Sequence, residues 1–323
     1  MNPAKFFAIV ALTLGTCAFA QDYPTRPVTV VVPTPPGGST DVVGRALAEE
    51  MGKQMGGKTF VVENRPGASG MLGTQAVARA NPDGYTLLFA HALPIYFASH
   101  VFSKVPYDVR RDFAFVTQIC NASLVIGINS EIPARNLQQF IAWAGATKGK
   151  VTYGSFGAGS PGHIASAYLS ETRGLQMSHV PYKGEAPMIQ DIANGSVQWG
   201  IGTAGAMGPM VKSGRLRLLA VFGTNRLETL PDVPTMAQAG LTEPEFRPMS
   251  SMMVMAPAGT PAPVLARLEA QARAATRTAA MKARFQAYGC SPVASSSEQF
   301  RKDFEAMSPV IERLVKVTGV RAD

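Results

Sequence analysis

Short apolar runs alternate along the chain with stretches in which apolar residues recur every three to four positions, and turns rich in Gly, Pro and Ser join them. Val28-Thr-Val-Val-Val32 reads as a buried strand that stops at Pro33. After the Gly37-Gly38 turn, Ser39 or Thr40 can cap a helix carrying Val42, Val43, Ala46, Leu47 and Met51 on one face. The alternation continues with strand 60–62, a turn at Gly67 to Gly70, helix 71–80, strand 85–90, strand 124–128 and helix 137–146. It then restarts. Strands at 151–155, 177–180, 197–201 and 216–222 are separated by helices at 164–171, 188–193 and 207–212. A late strand at 251–256 precedes helices that include 264–278 and 300–317.

Alternating βα units predict parallel sheets with helices on both faces. Two such series, with one late strand and terminal helices left over, predict two α/β lobes. The expected boundaries are residues 21–124 and 250–323 for the first lobe and 125–249 for the second. One large doubly wound sheet is the alternative.

The 323 residues are 46% hydrophobic and only 16% charged, against roughly 25% charged in an ordinary domain. That hydrophobic content excludes a disordered chain. The formal charge, 30 − 22 = +8, is scattered singly and forms no basic block. It is a general attraction for anions or a solubilising surface, and not a nucleic-acid footprint. Residues 1–20 differ from the rest. Lys5 is their only charge, an apolar stretch runs from Phe6 to Ala20, and Ala18-Phe19-Ala20 fits a cleavage site before Gln21. This is the pattern of a secretory signal peptide and predicts export to the periplasm. Lipidation at Cys17 is a poorer fit, because Thr16 is bulky for the preceding position. Loss of the leader leaves Cys120 and Cys290, which can form a disulfide in an oxidising compartment or stay as separate buried thiols.

Three strand-to-helix turns share a chemistry: Pro36-Gly-Gly-Ser-Thr-Asp41, Gly67-Ala-Ser-Gly70 and Ser155-Phe-Gly-Ala-Gly-Ser-Pro-Gly162. Such turns lie at the carboxyl ends of strands, where open α/β sheets bind ligands. Glycine admits close backbone approach, and a helix start offers free N–H groups to carboxylates or phosphates. Ser39, Thr40, Ser69, Ser155 and Ser160 add hydroxyls. Gly and Ser also serve simply as turn formers and caps. Residues 157–162 match G-x-G-x-x-G, but no acidic residue ends the next strand and an exported protein seldom meets free NAD. No G-x-S-x-G or P-loop pattern occurs, and His91, His100, His163 and His179 show no metal-ligand spacing. No cofactor is therefore expected. His91 and His163, at a strand end and a helix start, can donate to an anion. Lys183 and Glu185 are expected to pair with each other on a surface turn.

Several ordered motifs carry a family likeness: Tyr23-Pro-Thr-Arg-Pro27, the Pro36–Asp41 turn, Val62-Glu-Asn-Arg-Pro-Gly-Ala68, Asn81-Pro-Asp-Gly-Tyr85, Tyr153-Gly-Ser155, His179-Val-Pro-Tyr-Lys-Gly184, Leu230-Pro-Asp-Val-Pro-Thr235 and Ala256-Pro-Ala-Gly-Thr-Pro261. From Tyr23 onward the chain resembles the Bug (Bordetella uptake gene) family, periplasmic solute receptors of tripartite tricarboxylate transporters. The resemblance implies a two-lobed type II periplasmic-binding-protein fold, working as a monomer with membrane transporter subunits as partners. It implies a ligand carboxylate held by main-chain N–H groups and water at Gly37, Gly38, Ser39 and Asp41 and at Ser155, Gly157, Gly159 and Ser160. Ser69, Gly70, His91, Ala92, Thr203 and Ala204 would line the remainder.

Two departures matter. Met71 stands where the family often has Asn, and Ile201-Gly202-Thr203 where it often has Phe-Asp-Asn. Gly202 and Thr203 offer no charge to an ammonium group, so a dicarboxylate or aromatic acid is expected over an amino acid. The expected function is capture of a small organic carboxylate for a transporter. A sensory receptor for a signalling kinase and a periplasmic enzyme acting on anions are the alternatives. The enzyme lacks a nucleophile, base and orienter at readable spacing.

Overall fold

The structure, a computed structural model, describes residues 23–223, 225–247 and 250–322. The leader and its cleavage point lie outside the described residues. The chain opens with β1 (Val28–Val32), α1 (Ser39–Gln54), β2 (Phe60–Asn64), α2 (Met71–Ala78) and β3 (Thr86–His91). A π-helical turn at Leu93–Phe97, the short helices α3 (Ala98–Val101) and α4 (Val109–Asp112), and the long strand β4 (Phe113–Ala122) follow. After β4 come β5 (Leu124–Asn129), α5 (Leu137–Ala146), β6 (Thr152–Ser155), α6 (Pro161–Thr172), β7 (Ser178–Pro181), α7 (Glu185–Asn194), β8 (Trp199–Thr203), α8 (Ala204–Lys212) and β9 (Leu216–Val221). The chain closes with β10 (Ser251–Pro257), α9 (Ala262–Thr276), α10 (Ala279–Tyr288), β11 (Cys290–Pro292) and α11 (Ser297–Thr318).

Two sheets organise these elements, in the orders β11-β4-β10-β3-β1-β2 and β7-β6-β8-β5-β9. Both are mixed, which corrects the expectation of parallel sheets. β1 runs parallel to β2 and β3, and β6 parallel to β7 and β8. β10 is antiparallel to β3 and β4, and β5 antiparallel to β8 and β9. The antiparallel pairs all involve strands next to a crossing between the sheets. Hydrophobic periodicity reports burial and not direction, so it cannot reveal them.

Packing follows the two-residue repeat of a strand. Val30, Val32, Leu87 and Phe89 join Val43, Leu47 and Met51 of α1 in one core, while Val31, Leu88 and Ala90 face another. Gly44 lets α1 sit directly on the sheet, since a Cβ there would lie 2.8 Å from the Phe89 ring and 3.3 Å from Val32. β5 is buried along its whole length, as its unbroken apolar run requires. α11 packs against both β4 and α6. Its Phe300 and Phe304 rings lie 4.8 and 5.3 Å from Phe115 of β4, and its Arg313 pairs with Glu245 at 3.1 Å.

The sheets join at Ser123, the single residue between β4 and β5. Its N–H donates to Gly289 O (2.8 Å) and its carbonyl accepts from Ala204 N–H (3.0 Å). No helix among the described residues is long and apolar enough to cross a membrane.

Candidate functional site

The carboxyl ends of β1 and β3 form the first rim. Between β1 and α1 the chain turns at Gly37, whose φ of +86° lies in the left-handed region that glycine adopts without strain. Gly37 N–H donates to Asp41 Oδ2 at 2.8 Å. Asp41 Oδ1 receives Asn64 Nδ2 at 2.8 Å and lies 2.9 Å from Arg45 Nε. Burial would raise the Asp41 carboxyl, but the Gly37 N–H, Arg45 and Asn64 outweigh it and hold the group below the usual carboxylate range. Both oxygens of Asp41 are thus engaged in fixing the turn, and the Gly37 N–H is used for the same purpose. Gly38, the residue before α1, is extended, and no side chain caps the helix. The first intrahelical bond runs from Val42 N–H to Gly38 O at 3.0 Å, so the earlier amides of this 16-residue helix face outward with its positive dipole end.

Ser69 and Gly70 build the neighbouring turn, with φ of 56° and 91°. A Cβ at Gly70 would sit 3.2 Å from Pro33 O and 3.4 Å from Pro94. This turn therefore presses on the exit of β1 and on the segment after β3. His91 is the last residue of β3, and Ala92 is buried just beyond it.

The second rim is built differently. Ser155, fully buried at the end of β6, lies with Oγ 2.7 Å from His179 Nε2 and 3.0 Å from Gly157 O. Gly159 N–H donates to His163 Nδ1 at 3.0 Å, and Ser160 N–H to Gly157 O at 3.1 Å. Ser160 caps α6 by accepting from His163 N–H at 3.2 Å. The His163 and His179 rings stack at 3.6 Å and 10°, and Tyr153 stacks on His179 at 5.2 Å. Burial pushes both imidazoles down, His163 to about 3 with help from the neighbouring His179 charge, and His179 to about 4. Since His163 Nδ1 accepts from Gly159, its ring proton sits on Nε2.

At the end of β8, Thr203 donates its N–H to Glu185 Oε1 at 2.6 Å and its hydroxyl to Oε2 at 2.9 Å. The expected Lys183–Glu185 pair is therefore corrected, because both carboxylate oxygens of Glu185 are spent on Thr203. The uncharged character expected at Gly202 and Thr203 is corrected as well. A Cβ at Gly202 would lie 3.3 Å from Glu185 Oε1, so the missing side chain at 202 leaves room for a carboxylate supplied from α7. Burial pushes that carboxyl up, while Thr203's two donors pull it back. Thr203 caps α8, and Ala204 reaches Ser123.

The first rim thus gathers Gly37, Gly38, Ser39, Asp41, Ser69, Gly70, His91 and Ala92, and the second Ser155, Gly157, Gly159, Ser160 and His163, with Thr203 and Ala204 at the crossing. Sequence reasoning missed Asn64 and Arg45, which clamp Asp41, and His179, which stacks on His163. Arg45 stands four residues after Asp41, a helical ion-pair spacing that could have shown it. Ser155 and His179 form a hydroxyl–imidazole contact, but the serine has no exposed surface. Among the described residues no three His, Cys, Asp or Glu side chains gather as a metal site. Cys120 and Cys290 are free buried thiols on the paired strands β4 and β11, where Cys120 stands opposite Pro292 and Cys290 opposite Ala122.

The sequence profile of the family described as "Tripartite tricarboxylate transporter family receptor" matches residues 43–319. The chain is 33% identical to protein BugT of Bordetella pertussis over 307 residues, covering 93% of each. Its structure is similar to that of R. palustris Rpa4515 with adipate, at 30% identity and TM-score 0.83 over 93% of this chain and 99% of that one. It is also similar to MatC from Rhodopseudomonas palustris with bound malate, at 28% identity and TM-score 0.78 over 91% and 100% of the two chains.

Proposed function

Because the chain belongs to the tripartite tricarboxylate transporter receptor family, we propose that it captures a small organic carboxylate between its two lobes and delivers it to the membrane transporter subunits of such a system. The observation that carries this reading is the start of α1. Its leading amides have no side-chain cap, and the one acid beside them, Asp41, is tied off by Gly37, Asn64 and Arg45. An incoming carboxylate meets a positive helix end without a competing free negative charge. Adipate and malate in the related structures indicate a dicarboxylate as the first class to try, with aromatic acids second.

The lobes are proposed to comprise residues 21–124 with 250–323, and 125–249, with Ser123 at the crossing. The leader, residues 1–20, directs export and is removed. The mature protein acts as a monomer in the periplasm. It binds without converting its ligand, a reading supported by the burial of Ser155 and by the lack, among the described residues, of a carboxylate bonded to His179.

A calorimetric and thermal-shift screen against C4 to C6 dicarboxylates, citrate, benzoate and nicotinate tests this. A bound acid at 100 times its dissociation constant should stabilise the protein by about 2.7 kcal/mol. The ligand should be recovered unchanged after prolonged incubation. Silence towards every acid together with a shift by NAD would refute the receptor reading.

A further inference from the structure

Two polar atoms on the first rim, Thr34 Oγ1 and His91 Nδ1, are buried without a hydrogen-bond partner among the described residues. A buried polar atom without a hydrogen bond is costly, so each needs a partner that the protein does not supply. Their placement is related. In the β1–β3 register Thr29 stands opposite Thr86 and Val31 opposite Leu88. The pairing ends there, and Thr34 lies in the bend after β1, where Asn64 Nδ2 donates to Thr34 O at 3.0 Å and to Asp41 Oδ1, in the first turn of α1, at 2.8 Å.

Leu87 and Phe89 point under α1 with Val30 and Val32, and the two-residue alternation carries His91, the last residue of β3, to that same side. Gly44 rests on Phe89 and Val32. Four residues back along the helix, about 6 Å, is Thr40, and two residues forward along β3, about 6.6 Å, is His91. The two orphaned atoms therefore lie beside the uncapped first turn of α1.

A neutral imidazole has one donor nitrogen and one acceptor nitrogen, and burial keeps His91 neutral by pushing its pKa down to about 4. A group that both donates and accepts satisfies the pair in either tautomer. If Nδ1 carries the lone pair, such a group donates to it and accepts the Thr34 hydroxyl proton. If Nδ1 carries the proton, the directions reverse. A carboxylate oxygen accepts only, and serves one tautomer alone.

Building on the carboxylate-receptor reading, we propose that Thr34 and His91 form a neutral subsite for a ligand hydroxyl next to the carboxylate held at α1, so that the preferred ligands are hydroxycarboxylates. Without the hydroxyl, both buried atoms are satisfied only where a carboxylate oxygen reaches them and Nδ1 carries the proton; otherwise they lose their partner.

The test measures dissociation constants by calorimetry for matched probes: L-malate against succinate, 2-hydroxyglutarate against glutarate, and 3-phenyllactate against 3-phenylpropionate. Wild type should prefer the hydroxy member of at least one pair by about tenfold or more. Thr34→Val and His91→Phe should bring that ratio towards one, while Thr34→Ser keeps it. Melting temperatures certify that each variant folds, and Thr34→Val alone decides if His91→Phe does not. Plain acids bound as tightly as their hydroxy partners overturn the subsite and leave the receptor standing. A preference that survives in Thr34→Val overturns the assignment to this pair. Failure of every acid to bind overturns both readings.

Discussion

The starts of α1 and α6 face the same task, ending a strand-to-helix turn at a sheet rim, and they solve it in opposite ways. At α1 the acid sits inside the helix and reaches back to the turn, so that Gly37 is fixed while the leading amides stay uncapped. At α6 the cap is Ser160 itself, Pro161 follows it, and Gly159 and Ser160 spend their amides on His163 and Gly157. A helix end that satisfies itself is stable without company, whereas an open one gains from an anion. On the proposed reading the first rim is therefore the anchor and the second a preformed wall. The sequence suggested converging free amides from both halves; in the structure those of Gly157, Gly159 and Ser160 are already engaged.

Acid should break this contrast most strongly. His163 and His179 have pKa values pushed down to about 3 and about 4, and His91 to about 4, against an ordinary value near 6.5. The unfolded chain then binds more protons than the native one between these limits. Their stabilisation is complete above pH 6.5 and is lost as pH falls towards 4, by roughly 3 kcal/mol or more in total. Asp41 stays ionised over that window. Urea unfolding at pH 7, 5.5 and 4.5 checks the trend, and a flat profile would show the stacked rings to be hydrated.

Asp41→Ala comes next. It frees Gly37 and takes one partner each from Asn64 and Arg45, which stay bonded to each other, so a loss of about 2 kcal/mol in stability is expected. Calorimetry with the tightest acid from the screen should show at least about tenfold weaker binding, because the turn that presents the α1 amides loosens. Asp41→Asn should recover part of the stability, as its amide oxygen still accepts one bond. The smallest effect belongs to Ser160→Ala. Loss of a cap should cost about 1 kcal/mol, with little change in affinity if the second rim is only a wall. A large affinity loss there would make the two helix starts equal partners.

Most strands and helices were legible because their apolar periodicity is clean, as in β1, α1 and β5. The short α3, α4 and β11 escaped notice, and so did β4, although it is the longest of the described strands and leads into the second sheet. Its buried residues include Thr117 and Gln118, and these are tolerated because Thr117 donates to Ser295 O at 2.7 Å and Gln118 to Tyr96 Oη at 3.0 Å. Such partners lie far away in sequence, so polar letters hide a strand that the fold makes dry. The site was legible at its glycine turns for the same local reason. Its electrostatics were not, because Asp41 depends on Asn64, Glu185 on Thr203 and His163 on His179. Each pair is 16 to 23 residues apart.

Thr203 and Ala204 are consecutive, yet their amides report to different places: one to the Glu185 carboxylate, the other to the Ser123 carbonyl on which the chain changes sheets. One residue therefore links that carboxylate to the crossing between the sheets, and on the proposed two-lobe reading this corner is where a pull on Glu185 would be felt by both halves.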